Sequence, residues 1–292
     1  MKVLVIIVTY NAMRWINKCL TSLNNSLIPV DCIIIDNNSK DNTIETIKEQ
    51  YSYCRLIENK ENLGFGKANN IGLQYAIDNN YDYVYLLNQD AWIFPDTLSL
   101  LIKAHKHNPK YGILSPLQMN ASKDKLDKNF QICCSKEMIS DCLCGHLKDI
   151  YPSSFVMAAH WLIPKEALLK VGGFSPSFPH YGEDHNYVHR MLLKNCMIGI
   201  VPAAKAVHDR EFRNDSKALK IRKAYLRSIV NISNPNIPIY KNLFAQPLIL
   251  FRRCIKFKTF KGFKYIFQLL INYPNIIRNR NISLKFSFLK KK

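Results

Sequence analysis

The chain is poor in the residues and runs that would take it out of the ordinary globular class. Glycine (10) and proline (13) are too scarce among 292 residues for a collagen-like or low-complexity chain. No stretch repeats at a fixed period, which excludes a solenoid. No apolar run reaches the ~18 to 20 residues that span a bilayer. Residues 3–8 are too few for a secretory core and precede no small-residue cleavage site, so they read as a buried strand and the chain is expected to stay in the cytosol. The nine cysteines include no Cys-x-x-Cys and, being odd in number, cannot all pair within the chain, so reduced thiols are expected. Cys133, Cys134, Cys142 and Cys144 cluster near His146, but their spacing is not that of a zinc knuckle, and a small core or a loop is the plainer reading.

Acidic residues are also missing from one end. Residues 1–215 hold all 22 Asp/Glu against 23 Lys/Arg, whereas residues 216–292 hold 18 Lys/Arg and no acid, so the net charge of +19 belongs to the tail. In that tail Leu248, Phe251 and Ile255 share a helical stripe beside Arg252, Arg253 and Lys256, the pattern of a basic amphipathic helix. An anionic membrane surface is the expected partner, with nucleic acid as the alternative. The expected organisation is a body over residues 1–215 and a basic amphipathic region over 216–292.

What is present in the body alternates apolar runs with helix-like segments, the mark of βαβ units in a mostly parallel sheet. Strands are predicted at residues 3–8, 32–35 and 83–87. The first helix carries Trp15, Ile16, Cys19, Leu20 and Leu23 on one face. A second is capped by Ser39 or Asp41 and runs to about Glu49, a third buries Ala68, Ile71, Tyr75 and Ala76, and a fourth follows Pro95 with Leu98, Leu101 and Ile102 inward. Residues 118–150 show no clear period and read as an insertion or acceptor-facing loop. Structure is expected to resume over residues 155–163, in a short helix over 164–170 stopped by Gly172-Gly173, in a helix over 183–195, and in a strand over 197–201.

In a parallel sheet, ligands sit at the carboxyl ends of the strands. The polar groups there are Thr9-Tyr10-Asn11, Asp36-Asn37-Asn38-Ser39, residues 62–70 and Asn88-Gln89-Asp90. Any one of them alone is better explained by turn chemistry than by a ligand; together they favour a ligand. Gly64-Phe65-Gly66 suggests a phosphate loop, yet Asn69 stands where the dinucleotide fingerprint has its third glycine and no Gly-Lys-Ser/Thr follows, which disfavours a Rossmann dehydrogenase or a P-loop enzyme. Asp90 ends a buried strand where a divalent cation finds oxygen ligands. Glu183-Asp184 at a helix start either complement the helix dipole or supply a base, and because adjacent side chains diverge by about 100°, only one faces a given atom. His208 is either a structural histidine or a ligand.

Val8-Thr9-Tyr10-Asn11, Asp36-Asn37-Asn38-Ser39, residues 62–66, Asn88-Gln89-Asp90, Gly172-Gly173-Phe174, Glu183-Asp184 and His208 occur in an order that resembles family 2 glycosyltransferases, rhamnosyltransferase-like bacterial members above all, over about residues 1–212. The resemblance implies a GT-A nucleotide-diphospho-sugar transferase fold of the α/β class, with a mostly parallel central sheet flanked by helices. It implies that Thr9, Tyr10, Asn11, Asp36, Asn37 and Asn38 hold base and ribose, with Gly64, Gly66, Lys67 and Asn69 near the nucleotide. Asn88, Gln89 and Asp90 stand at the Asp-x-Asp position, so Asp90, joined by His208, is the expected ligand of Mn²⁺ or Mg²⁺. Asn88 replaces the first acid of that motif and Asn37 the aspartate often used to read uracil, so dTDP and UDP are preferred and GDP is admitted. Asp184 is the implied base, with Glu183 second, in an inverting transfer. The implied acceptor is a lipid-linked glycan of O-antigen or capsule assembly, with the chain peripheral on the inner face of the plasma membrane. The motifs specify neither sugar nor oligomeric state. A nucleotidyltransferase and a non-enzymatic nucleic-acid-binding protein are the rival readings.

Overall fold

A computed structural model describes residues 1–178, 181–210 and 216–290. The first half winds as β1 (Val3–Thr9), α1 (Ile16–Asn24), β2 (Asp31–Asp36), α2 (Thr43–Gln50), β3 (Arg55–Glu58), α3 (Phe65–Asp78), β4 (Tyr83–Asn88), β5 (Ala91–Ile93) and α4 (Thr97–His107). The second adds β6 (Tyr111–Met119), α5 (Lys136–Cys144), β7 (Tyr151–Pro152), β8 (His160–Pro164), α6 (Lys165–Val171), α7 (Glu183–Leu193) and β9 (Met197–His208). All described strands join one sheet in the order β3-β2-β1-β4-β8-β6-β9-β5, with β7 paired to β9 outside that path. β3, β2, β1 and β4 are parallel, while β8 runs antiparallel to both β4 and β6.

The apolar run of β1 follows from its place at the sheet centre. Leu4 and Ile6 enter one core, with α3 and α7, while Val3, Val5 and Ile7 enter the other, with α1, α2 and α4. A strand buried on both faces cannot alternate apolar with polar residues. Gly72 of α3 lies directly over Ile6, where a Cβ would sit 2.6 Å from Ile6 Cγ2, so the helix reaches the sheet only because that side chain is missing.

Several predicted boundaries move. The second helix starts at Thr43, because Ser39 is drawn away to Asp36 and Asn11 while Asp41 binds the Thr43 amide. Residues 118–150 are not a bare loop: β6 runs to Met119, and α5 is capped by the Ser135 hydroxyl at its start and by left-handed Gly145 at its end. Cys133 is buried and Cys142 and Cys144 are exposed. Within the structure expected to resume over 155–163, regular strand begins at His160. The strand expected over 197–201 continues through an irregularity opposite Pro116–Leu117 to His208, so the candidate ligand lies on that same strand.

The basic tail folds as α8 (Lys217–Ile232), α9 (Ile239–Lys256), α10 (Phe263–Ile271) and α11 (Tyr273–Lys285). Its small core gathers Ala224, Ile232, Leu250, Leu269 and Ile276. Arg280 donates to the carbonyls of Ile232 and Ile237, both at 3.0 Å, closing the turn between α8 and α9. This region also docks on the body. Ser283 Oγ meets Ser175 Oγ at 2.9 Å, Gly173 N donates to Ser287 O at 2.6 Å, and Asn236 donates to His189 O at 2.8 Å.

Candidate active site

The register brings the strand ends together. Thr9 is level with Asp36 across β1 and β2, and Val8 with Asn88 across β1 and β4, so the motifs that follow these strands share one edge. Asn11 and Asn38 both adopt positive φ, 50° and 67°, which asparagine tolerates better than most residues. Asn11 Oδ1 accepts from Lys40 N at 2.7 Å, and Gln89 bonds both the amide and the carbonyl of Tyr10, locking the first loop to the third.

The predicted nucleotide residues divide into surface and support. Tyr10 and Lys67 are exposed, and Asn38, Asn88 and Gln89 are partly so. Asp36 is fully buried and its carboxylate is engaged by the Thr9 hydroxyl and by the hydroxyl and amide of Ser39. Asn37 is buried and accepts from Asn59 Nδ2 at 3.0 Å. Asn69 turns inward to the Phe65 carbonyl of its own helix. Gly64 enters α3 with φ 78°, and Gly66 lies against Phe174 and Glu183, where a Cβ would come within 3.0 Å of Phe174 Cβ.

At the far side of the same edge, β5 pairs with the end of β9 so that Ala91 stands opposite His208. His208 Nε2 lies 3.5 Å from Asp90 Oδ1. Burial pushes the Asp90 carboxyl up, but hydrogen bonding and charge from His208, with Arg210 behind, outweigh it and hold the group below the usual carboxylate range. A carboxylate oxygen and an imidazole nitrogen facing one spot suit Mn²⁺ or Mg²⁺. No group of three or more His, Cys, Asp or Glu that could hold a metal occurs among the described residues, so a cation here would draw its remaining oxygens from water and a bound phosphate.

Glu183 and Asp184 open α7 and point apart. Glu183 lies beside Gly66, and its Oε2 is buried without a hydrogen-bond partner. Burial pushes it up to about 7, assisted by the charge of Asp184. Asp184 is also pushed up by burial, to about 6, against hydrogen bonds from backbone amides and the charge of Arg210. A carboxyl poised between 6 and 7 can take up and release a proton near neutrality.

Arg210, which follows His208-Asp209 in the sequence, is given no role by sequence reasoning. Its Nε donates to His208 Nδ1 at 3.3 Å and lies 3.4 Å from Asp127 Oδ2, and its charge reaches both Asp90 and Asp184. It therefore links the cation corner to the candidate base. Asp127 comes from the stretch without a readable period, so no spacing tied it to Arg210. Trp15 is also at this edge, donating to Asp209 Oδ2 at 3.1 Å. Beneath lies a buried polar chain: His160 Nε2 contacts the Val207 carbonyl at 3.0 Å and its Nδ1 meets Tyr85 Oη at 2.8 Å. Because a carbonyl only accepts, Nε2 carries the proton and Tyr85 donates to Nδ1.

The sequence model described as Glycosyl transferase family 2 matches residues 4–163. The chain is 23% identical over 238 residues to an N-acetylglucosaminyl-diphospho-decaprenol L-rhamnosyltransferase of Mycobacterium tuberculosis, covering 70% of this chain and 75% of that protein. The crystal structure of Staphylococcus aureus TarS 1–349 in complex with UDP-GlcNAc superposes with a TM-score of 0.58 at 16% identity, covering 97% of this chain and 82% of that one. The mannosyltransferase PcManGT of Pyrobaculum calidifontis, in complex with GDP-Man and Mn²⁺, gives a TM-score of 0.61 at 18% identity over 97% of this chain and 87% of that one.

Proposed function

The chain belongs to glycosyl transferase family 2 and has its GT-A-like α/β fold, and from that premise we propose that it moves a sugar from a nucleoside-diphosphate donor to a hydroxyl of a lipid-linked glycan, inverting the anomeric centre. The observation that carries this reading is Asp90 Oδ1 3.5 Å from His208 Nε2, with Arg210 bonded to His208 Nδ1 and its charge felt by Asp184 at the start of α7. The named activity of the mycobacterial relative, rhamnosyl transfer to N-acetylglucosaminyl-diphospho-decaprenol, supports the rhamnosyl donor and lipid-linked acceptor. A place in O-antigen or capsule assembly, on the cytoplasmic side of the membrane, belongs to the same proposal.

Asp90 and His208 would hold Mn²⁺ or Mg²⁺ at the donor diphosphate, where such an ion neutralises charge as it develops on the leaving group. Exposed Tyr10 and partly exposed Asn38 and Gln89 line the way to the nucleotide, and the buried Asp36 keeps the loop at Ser39 in shape. Asp184 takes the proton from the acceptor hydroxyl as its oxygen bonds the anomeric carbon. The bond from that carbon to the diphosphate oxygen breaks, and its electron pair leaves with the nucleoside diphosphate. One base and one displacement leave no covalent intermediate, which is why the centre inverts. Arg210 lowers the Asp184 pKa towards working range, and its bond to His208 Nδ1 leaves the ring proton on Nε2, facing Asp90; for Nε2 to hold a cation, that proton and the Arg210 bond would have to be given up.

Ligand-induced thermal stabilisation tests the reading without requiring the acceptor. With Mn²⁺, dTDP-rhamnose or a UDP-sugar is expected to raise the melting temperature by several degrees, and EDTA or His208→Ala to remove that rise. A rise that survives both would take the cation, and with it Asp90 and His208, out of the donor site. Release of pyrophosphate in place of a nucleoside diphosphate would point instead to a nucleotidyltransferase.

A further inference from the structure

The tail helices bury the wrong half of their apolar residues for a bundle meant to face water. α9 turns Asn242, Gln246, Leu250 and Cys254 inward. Its outward stripe is Phe244, Leu248, Phe251 and Ile255, exposed at 77%, 62%, 43% and 58%. Spacings of four, three and four residues keep these on one side of the helix. The stripe does not end with the helix. Phe251 meets Phe263 edge-on at 5.7 Å, Phe263 stacks on Phe260 at 6.2 Å, and Phe260 is 89% exposed. Phe267 and Ile271 extend the surface along α10 at 66% and 76% exposure. An open hollow of about 350 Å³ lies between the two helices, lined by Ile255, Phe260 and Phe263 with Lys258 at its rim.

A continuous apolar surface of this kind marks an interaction site. Its charge surroundings narrow the partner. Lys258 lines the hollow, Arg252, Lys256 and Lys264 adjoin stripe residues in the sequence, and no acidic residue occurs anywhere from 216 to 292. A second copy would bring the same positive border against this one, and like charges across an interface are repulsive. A nucleic acid would answer the lysines but leave the phenylalanines in water. No described helix is long and apolar enough to cross a membrane. The geometry points to an anionic bilayer: we propose that α9 and α10 lie in the plane of the headgroup boundary, with their aromatic stripe inserted and the flanking Lys and Arg on acidic lipid headgroups.

This deepens the reading of a lipid-linked acceptor and gives it a place. α8, packed with α9 and α10, sets Val230 against Gly182, the residue before the two carboxylates. The helices that carry the stripe are thereby held against the loop that leads into Asp184.

Flotation of the full chain with vesicles tests the proposal without donor or acceptor. Binding to phosphatidylcholine:phosphatidylglycerol 7:3 is expected, and much weaker binding to phosphatidylcholine alone. Phe244→Ser/Leu248→Ser/Phe251→Ser removes only outward side chains and should lower partitioning on the order of 100-fold, if each loses about fivefold from partial insertion. Arg252→Gln/Lys256→Gln should lower it about fivefold per charge. Unchanged binding in the triple variant, equal binding to both vesicle types, a wild-type dimer that the triple variant makes monomeric, or duplex DNA held in preference to vesicles would each overturn the proposal. Donor-induced thermal stabilisation, measured on the same samples, separates the two ideas. Lost flotation with intact donor binding leaves the transferase reading standing, and intact flotation without donor binding leaves only the membrane surface.

Discussion

Replacing Asp184 by asparagine should make the protein more stable and nearly inactive at once, and the two effects have the same cause. Burial holds the carboxyl near 6 in the folded chain against 3.8 for the free side chain. A raised carboxyl pKa means that the folded state binds the proton more tightly than the unfolded state, so its contribution to stability is whole below pH 3.8 and is lost as pH rises towards 6. Above that, the ionised side chain costs up to about 3 kcal/mol. Asp184 is only partly buried, and water screening reduces this to about 1–2 kcal/mol. Asparagine has the same shape and no charge to desolvate. Asp184→Asn is therefore expected to melt about 3–6 °C above the wild type at pH 8 and close to it at pH 4. Transfer should fall by roughly 10²- to 10⁴-fold, the usual worth of a positioned base. In the wild type the rate should climb about tenfold per pH unit below 6 and level off above it, as the base loses its proton. Melts at the two pH values and initial rates of nucleoside diphosphate release are the measurements. A melting difference that is the same at pH 4 and pH 8, or a variant within tenfold of wild-type turnover, would refute the assignment.

Two further outcomes follow from packing. Gly182 has φ 102° and no room for a Cβ beside Val230 Cγ2, so Gly182→Ala should cost about 1–3 kcal/mol, read as a lower urea midpoint at unchanged m; an unmoved midpoint would mean that α8 does not press on this loop. His160→Leu leaves the Tyr85 hydroxyl without its partner in the core, takes one donor from the Val207 carbonyl and should cost about 2–4 kcal/mol, whereas adding Tyr85→Phe should recover part of that loss; strictly additive losses in a double-mutant cycle would show that the two side chains are not coupled.

The first four parallel strands show how burial writes itself into a sequence. β1, β2 and β4 are covered on both faces and read as unbroken apolar runs, whereas Arg55–Glu58 and Ala91–Ile93 are too short to carry a period and become strands through pairing with β2 and β9. α5 was hidden for another reason: Met138 is its only buried residue, so it has no stripe, although Ser135 and Gly145 stand where a helix begins and ends. In α9 the stripe of Leu248, Phe251 and Ile255, read from the sequence as that of a basic amphipathic helix, faces outward; what the sequence did not show is the inward face, Asn242, Gln246, Leu250 and Cys254, half of it polar and satisfied by bonds among Asn231, Asn242 and Gln246. Strand-end residues such as Asp90 were legible because parallel topology dictates where they gather. The inward turn of Asp36 and Asn69 was not, since the same residue types serve a ligand and a loop equally well.

The placement of the tail changes what removing it would mean. Residues 172–190 carry both carboxylates, and their outer side is closed by the tail: Val230 presses on Gly182, Asn236 holds the His189 carbonyl, and Ser287 accepts from Gly173. Arg190 donates to the carbonyls of Val171 and Gly173 from within the body, so the loop is gripped from two sides. Cutting the chain near residue 216 would strip one of those sides and expose apolar surface at Phe178 and Val230's former seat, lowering activity whether or not a membrane is present. Loss of function in a truncated chain therefore cannot separate an anchor from a wall. Substitutions confined to the outward stripe of α9 can, because Phe244, Leu248 and Phe251 lie on the side away from Leu250 and the tail core.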